Sequence, residues 1–138
     1  KKVLKFNEIL KSKKVKTIPL KVSAPFHCSL MKPAANTMSK KINDTIFNQP
    51  THEIITNVNA QAESKPENLK KFLIDQIFST VKWRESIIEM ANLGVKNFVE
   101  IGPGKALTGM VKRTIKNVNT FSINSITDIE SLKNEFKR

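Results

Sequence analysis

The fold class is decided by residues 97–107, which read Asn97-Phe98-Val99-Glu100-Ile101-Gly102-Pro103-Gly104-Lys105-Ala106-Leu107. The apolar run 97–101 predicts a short strand, and the Gly-Pro-Gly segment after it predicts a tight turn. Apolar residues then recur at helical spacing, which predicts a helix directly after the turn, with an apolar face made of Leu107, Met110, Val111 and Ile115. A strand joined to a helix by a tight turn is typical of α/β proteins.

The alternation of strands and helices continues towards both ends of the chain. Apolar spacing predicts further helices over residues 4–10, 31–42, 69–77, 83–91 and from about 128 to 136. Alternating or short apolar runs predict strands over 18–22, 54–58 and 120–123, and polar composition predicts a surface loop over 61–68. We therefore predict an α/β architecture with a largely parallel sheet.

Length and composition exclude several classes of protein. At 138 residues, 39% hydrophobic and 26% charged, the chain has the make-up of one globular domain. No apolar run approaches the roughly 18 residues that a membrane span needs, and no signal peptide is recognisable. The single cysteine, Cys28, has no disulfide partner in the chain, so we expect a reducing, cytoplasmic location. Because the chain begins with Lys1 rather than Met, we expect it to be a fragment, a processed product or the product of a truncated reading frame.

The charge is strongly positive and uneven along the chain. The formal net charge is +12, which would attract a polyanion such as nucleic acid, an acidic membrane or an acidic protein. Residues 1–21 hold eight lysines against one acid, Glu8. A solvated surface of a chain rich in Lys and Asn is the preferred interpretation over a dedicated nucleic-acid surface. The absence of Tyr, and Phe residues that do not alternate with the lysines, disfavour a surface for stacking nucleic-acid bases.

The Gly102-Pro103-Gly104-Lys105 segment invites comparison with a phosphate-binding loop, because backbone N–H groups at the start of a helix bind anions. A Walker A motif would need Gly where Val99 stands and Ser or Thr where Ala106 stands. We therefore interpret the segment as a structural turn.

The chain has few candidate metal ligands. His27, Cys28 and His52 lack the paired spacing of a zinc site, so we predict no metal. His52 is expected on the surface, and Cys28 is expected to be a small buried thiol rather than a nucleophile. His27 is different because it lies in a proline-bounded loop between a predicted strand and a predicted helix, where α/β enzymes display catalytic side chains. Spacing alone leaves an exposed or structural histidine the commoner interpretation.

Residues 22–35, Val-Ser-Ala-Pro-Phe-His-Cys-Ser-Leu-Met-Lys-Pro-Ala-Ala, resemble the catalytic-histidine block of the malonyl-CoA:acyl-carrier-protein transacylases of bacterial fatty acid synthesis. Later blocks of that family are resembled, in order and spacing, by Phe47-Asn48-Gln49-Pro50-Thr51, Asn57-Val58-Asn59-Ala60, Gln76-Ile77 with Val81-Lys82-Trp83, and Glu100-Ile101-Gly102-Pro103-Gly104-Lys105 with Leu107-Thr108-Gly109. The resemblance covers nearly the whole chain.

The resemblance implies a fold and a mechanism. Residues 1–22 would be the end of a ferredoxin-like small subdomain, and residues 23–138 the C-terminal part of a hydrolase-like large subdomain with a parallel sheet. A serine would take malonyl from malonyl-CoA and pass it to the phosphopantetheine thiol of acyl carrier protein. His27 would be the general base, oriented by the backbone carbonyl of Gln76, whose side-chain identity would matter little. Phe26 would limit the space beside the acyl α-carbon.

The resemblance also implies partners. Acyl carrier proteins are strongly acidic, so positive side chains near the active site would steer them. We predict contacts from Lys14, Lys16, Lys105, Lys112 and Arg113. Malonyl-CoA is a substrate and phosphopantetheine arrives on the carrier, so no further cofactor is expected. We expect neither nucleic acid nor a membrane as a partner.

Three elements of the family are absent from these 138 residues: the Gly-X-Ser-X-Gly nucleophile motif, the oxyanion-hole glutamine and the arginine that pairs with malonyl. We therefore expect the chain alone to be inactive, and to be a fragment whose N-terminal half is cut away or supplied by another chain. Without that half, an exposed sheet face and edge would leave it marginally stable or prone to aggregate. Two rival hypotheses remain: a small basic module that binds RNA or another polyanion, and a split-gene product without function.

Overall fold

The computed structural model describes residues 2–19 and 22–136. The helices are α1 (Lys2–Ser12), α2 (Lys32–Asp44), α3 (Pro66–Asp75), α4 (Trp83–Asn92), α5 (Ala106–Thr114) and α6 (Ile126–Glu135), with a short 3-10 turn (Ser29–Met31) before α2. The strands are β1 (Ile54–Ile55), β2 (Ala62–Glu63), β3 (Asn97–Ile101) and β4 (Asn119–Ile123). No helix in the described ranges is long and apolar enough to cross a membrane.

The centre of the second half is the unit β3–α5–β4, in which the two strands are parallel and paired one to one from Asn97 opposite Asn119 to Ile101 opposite Ile123. The strand, the glycine turn and the helix predicted from residues 97–107 are confirmed. Exposed and half-buried residues alternate along β3, and its half-buried Phe98 and Glu100 face α4 and α5. Helix α6 packs against β4, where the rings of Phe121 and Phe136 lie 5.6 Å apart.

The first half contains a helical pair and a small hairpin. Helix α2 packs on α3 and buries Ala35 and Ile42. Pro33 lies in the first turn of α2, as predicted, where its missing N–H leaves no helical bond unmade. Strands β1 and β2 pair antiparallel, so the part of the chain that the structure describes contains an antiparallel hairpin and a separate parallel pair. The α/β fold class is confirmed.

Several predicted boundaries are wrong, each for a local reason. Within the predicted strand 18–22, residues Ile18, Pro19 and Val22 are irregular, while positions 20 and 21 lie outside the described residues. Pro19 has no N–H and so cannot donate to a strand ladder. The predicted 61–68 loop contains β2 and the start of α3 at Pro66, because proline is well suited to a first helical turn.

Two further boundaries also differ from prediction. Val58 belongs to the turn that follows β1 and not to the strand. Helix α6 begins at Ile126 instead of about 128, because Ser125 is its N-cap and Asp128 completes a capping box. One predicted boundary is confirmed. Gly94 comes just after the C-terminus of α4 and has a φ of +88°, which agrees with its predicted role as a C-cap glycine.

Candidate active site

The loop before α2 presents His27 through a set of short local hydrogen bonds. The Phe26 N–H donates to the Ala24 carbonyl over 2.9 Å, and the Cys28 thiol donates to the Pro25 carbonyl over 3.1 Å. His27 itself lies in the left-handed region at φ +58°, which costs roughly 1–2 kcal/mol for a residue with a Cβ. The loop therefore holds an exposed imidazole in a backbone conformation that its surroundings must enforce.

The imidazole of His27 meets a carbonyl from a distant part of the chain. His27 Nδ1 lies 2.7 Å from the backbone oxygen of Gln76, 49 residues later. Gln76 caps the C-terminus of α3, where carbonyl groups lack helical partners. Because a carbonyl oxygen can only accept, Nδ1 must carry the hydrogen, and the neutral ring keeps its lone pair on Nε2. The structure thus brings together the two residues predicted as base and orienting acceptor.

Gln76 is held by a residue that sequence reasoning did not single out. The Asn57 side-chain amide donates to the Gln76 side-chain oxygen over 3.1 Å. The Asn57 backbone oxygen accepts from the Lys82 N–H over 2.8 Å, at the start of α4. The one available signal was the position of Asn57 in a block resembling the transacylase family, and no role was predicted for it.

A second contact joins the His27 loop to the end of α3. Lys32, the first residue of α2, places its ammonium group 5.8 Å from the centre of the Phe78 ring, within the range of a cation–π interaction. Phe78 follows Gln76 by two residues, so α2 and the loop before it are fixed to the same short segment of chain.

Exposed apolar side chains and an open groove lie near His27 along the chain. The side chain of Phe26 is 55% exposed and that of Leu30 is 72% exposed, so neither packs into the described core. Beyond Gln76 lies an open groove of about 320 Å³ between α3, β1 and the loop before β1, lined mainly by apolar side chains that include Phe47, Pro50, Ile55 and Phe72.

The N–H groups at the start of α5, just after the glycine turn, have a hydrogen-bond acceptor within the chain. Glu100 accepts from the N–H groups of Leu107 and Thr108 over 3.2 and 2.8 Å and from the Thr108 hydroxyl over 2.6 Å. The bonds from Thr108, its hydroxyl foremost, hold the pKa of the Glu100 carboxyl below its usual range. A carboxylate of the chain therefore takes the helix N–H groups that a phosphate would need.

The five basic residues predicted to bind a partner lie in two separate segments of the chain. All five are exposed. Lys105 precedes α5, whereas Lys112 and Arg113 lie in its last turn, about 10 Å further along the helix axis. Lys14 and Lys16 lie in the irregular segment after α1.

The remaining polar candidates are placed as follows. His52 is exposed, as predicted, and Cys28 is only half-buried, less than predicted, with its thiol bonded locally. Within residues 2–19 and 22–136, no three His, Cys, Asp or Glu side chains gather as a metal site would require.

Comparison with known proteins links this geometry to one family. No family model matches the chain. The malonyl CoA-acyl carrier protein transacylase of Haemophilus influenzae is 35% identical over 118 residues, which are 86% of this chain and 38% of that protein. Its counterpart from Bacillus subtilis is 37% identical over 115 residues, 83% of this chain and 36% of that protein. The chain thus spans well under half the length of these curated relatives.

Solved structures give the same result. The acyl carrier protein S-malonyltransferase of Vibrio cholerae is 38% identical, with a TM-score of 0.82 over 91% of this chain and 41% of that chain. A malonyl-transacylase in complex with its type II PKS acyl-carrier protein is 31% identical, with a TM-score of 0.85 over 96% of this chain and 43% of that chain. In sequence and in fold, the chain therefore corresponds to the C-terminal part of the malonyl CoA-acyl carrier protein transacylases.

Proposed function

We propose that the chain supplies the histidine base for transfer of a malonyl group from malonyl-CoA to the phosphopantetheine thiol of acyl carrier protein. The observation that carries this proposal is the 2.7 Å contact between His27 Nδ1 and the Gln76 carbonyl. It fixes the tautomer in which Nε2 can accept a proton, which is the requirement for a general base at neutral pH.

In the proposed reaction Nε2 of His27 removes the proton of a serine hydroxyl as its oxygen attacks the malonyl thioester. The imidazolium then returns the proton to the departing CoA thiolate. In the second half, Nε2 takes the proton of the carrier thiol, whose sulfur attacks the malonyl-serine ester, and the imidazolium protonates the released serine oxygen. The Gln76 carbonyl stabilises each imidazolium by accepting from Nδ1–H.

The nucleophile and the oxyanion donors come, in this proposal, from polypeptide other than these 138 residues, since no Gly-X-Ser-X-Gly motif occurs among them. Residues 23–138 would contribute to the large subdomain, and residues 1–22 to the small one. A base without its nucleophile retains little catalysis, because such groups act as a unit. We therefore propose that the chain alone is inactive.

The proposed partner is an acidic acyl carrier protein. The net charge of +12 favours such a partner, and one structural relative was solved with its acyl carrier protein. Exposed Lys14, Lys16, Lys105, Lys112 and Arg113 are the proposed contacts, and Phe26 is the proposed limit on acyl-group size. The reaction needs no cofactor besides the carrier's phosphopantetheine, and we propose that it takes place in the cytoplasm.

A chimera tests the proposal. The N-terminal remainder of the Escherichia coli transacylase, to which this chain is 37% identical over 109 residues, would be joined ahead of this chain. We expect malonyl transfer to acyl carrier protein that falls by at least about a thousandfold in His27→Ala. The matched control, His52→Ala, changes an exposed histidine outside the site and should leave the rate unchanged. A His27→Ala chimera as active as its parent would refute the proposal.

A further inference from the structure

We infer that Asn57 is a positioning residue for His27 and acts through Gln76. The inference rests on the proposed function, because it assigns Asn57 a task only if His27 serves as the base. Three hydrogen bonds carry it. The Lys82 N–H donates to the Asn57 backbone oxygen over 2.8 Å, the Asn57 side-chain amide donates to the Gln76 side-chain oxygen over 3.1 Å, and His27 Nδ1–H donates to the Gln76 backbone oxygen over 2.7 Å.

The Gln76 carbonyl needs a second anchor because it lies beyond the last full turn of α3. Helix ends fray, and a C-cap carbonyl has no helical donor to fix its direction. The backbone N–H of Gln76 donates to the Phe72 oxygen over 3.0 Å. The bond from Asn57 adds a tie through the side chain. Because both its backbone N–H and its side chain are hydrogen-bonded, the Gln76 carbonyl oxygen stays directed at the imidazole.

Asn57 can act as an anchor because its own surroundings are ordered. It follows the buried Thr56, whose hydroxyl donates to the Asn59 side chain over 2.6 Å. The Thr56 N–H donates across the hairpin to the Gln61 oxygen over 3.2 Å. The Asn57 carbonyl is bonded to the backbone at the start of α4. Asn57 is half-buried; its side chain bonds to Gln76 at the end of α3 and its backbone oxygen to Lys82 at the start of α4, while the preceding Thr56 joins it to the hairpin.

The consequence for His27 concerns which ring nitrogen holds the proton. While the Gln76 carbonyl stays in place, the Nδ1–H form is stabilised and Nε2 is the base. When the carbonyl can turn away, Nδ1–H loses its acceptor and the two neutral forms mix. The sequence-based expectation that the Gln76 side chain matters little is replaced here by a role for that side chain in holding its own backbone oxygen.

The test is side-chain ¹⁵N NMR of the 138-residue chain at about pH 9, where an ordinary imidazole is neutral. His52 is the internal reference, and the backbone amide signals of α5 and β4 report that the fold is kept. We expect His27 to be in the Nδ1–H form in the parent chain. In Asn57→Ala and in Gln76→Leu, His27 should be a mixture of the Nδ1–H and Nε2–H forms. In Gln76→Glu, whose side chain still offers an oxygen to Asn57, His27 should stay in the Nδ1–H form.

Unchanged His27 spectra in both Asn57→Ala and Gln76→Leu would overturn the inference. If the backbone amide signals show that Asn57→Ala does not fold, the comparison of Gln76→Leu with Gln76→Glu tests the inference without it, since both variants keep Asn57 and the backbone carbonyl of residue 76.

Turnover in the chimera gives a second measurement. Asn57→Ala should lower kcat about fivefold, the size of one neutral hydrogen bond, and leave KM unchanged. A rise in KM with kcat unchanged would contradict a positioning role. If His27→Ala remains active, the proposed function fails, whereas the NMR result still shows whether Asn57 sets the tautomer of His27.

Discussion

Strands β3 and β4 have the same length and pair residue for residue, yet their outer surfaces differ sharply. Ile123, at the end of β4, is 9% exposed, whereas its neighbour Ile101, at the end of β3, is 83% exposed. Helix α6 packs on β4, and within residues 2–19 and 22–136 it makes no comparable contact with β3. The difference teaches that burial in this sheet follows the helix that packs on each strand, and not the length or the pairing of the strands.

The largest expected effect is the difference between two identical substitutions. Ile123→Ala removes buried methyl groups and should lower the free energy of unfolding by about 2–4 kcal/mol. Ile101→Ala, on the uncovered strand, should change it by less than about 0.5 kcal/mol. Urea unfolding of the two variants measures both. Equal losses would mean that β3 is covered in solution, for example by a second copy of the chain.

The second expected effect concerns the turn that follows β3. Because its hydrogen bonds lower the pKa of Glu100, the carboxylate stabilises the fold above its ordinary pKa near 4.5, and this contribution is lost as the pH falls through the lowered value. Glu100→Gln should therefore have a lower free energy of unfolding than the parent at pH 7. This gap in free energy between variant and parent should close under acid conditions.

Urea unfolding at a series of pH values checks this expectation. The control is Glu130→Gln, an exposed glutamate on α6, for which no gap at pH 7 is expected. A gap for Glu100→Gln that persists unchanged at pH 2 would show that the charge on Glu100 is not the source of stability.

The smallest expected effect concerns the turn that follows β4. Ser125 accepts from the Asp128 N–H over 3.3 Å and begins α6, so Ser125→Ala should cost about 1 kcal/mol. Ser131→Ala is the matched control, since that hydroxyl only bonds back to the Thr127 oxygen within the same helix and should be near neutral. Thermal unfolding followed by circular dichroism compares the two. Equal Tm values for both variants would show that the Ser125 cap does not stabilise α6 on β4.

Local patterns in the sequence predicted the second half of the chain better than the first. The glycine turn after residue 101 and the apolar spacing after it are short-range signals, and both led to correct elements. Pro19 broke a strand that alternation alone suggested. The start of α6 could have been found from Ser125 and Asp128, whose spacing is that of a capping box.

The site depends on contacts that no periodicity reveals. His27 and Gln76 were paired through a family resemblance, since nothing in their spacing relates residues 49 apart. Asn57 was missed because a hydrogen bond between two amide side chains leaves no trace in hydrophobic patterning. Long-range polar contacts have to be read from the fold itself.

The 49-residue separation of His27 and Gln76 also has a consequence for the order of folding. Strands β3 and β4 meet after closing a loop of 22 residues, with α5 formed locally in between, whereas the site closes a loop more than twice as long and pays a larger entropic cost. The site is therefore expected to assemble after the strand pair and to open before it. Separation of α2 from α3 would then silence the imidazole while the sheet stays intact, so hydrogen exchange should be faster in α2 than in β4.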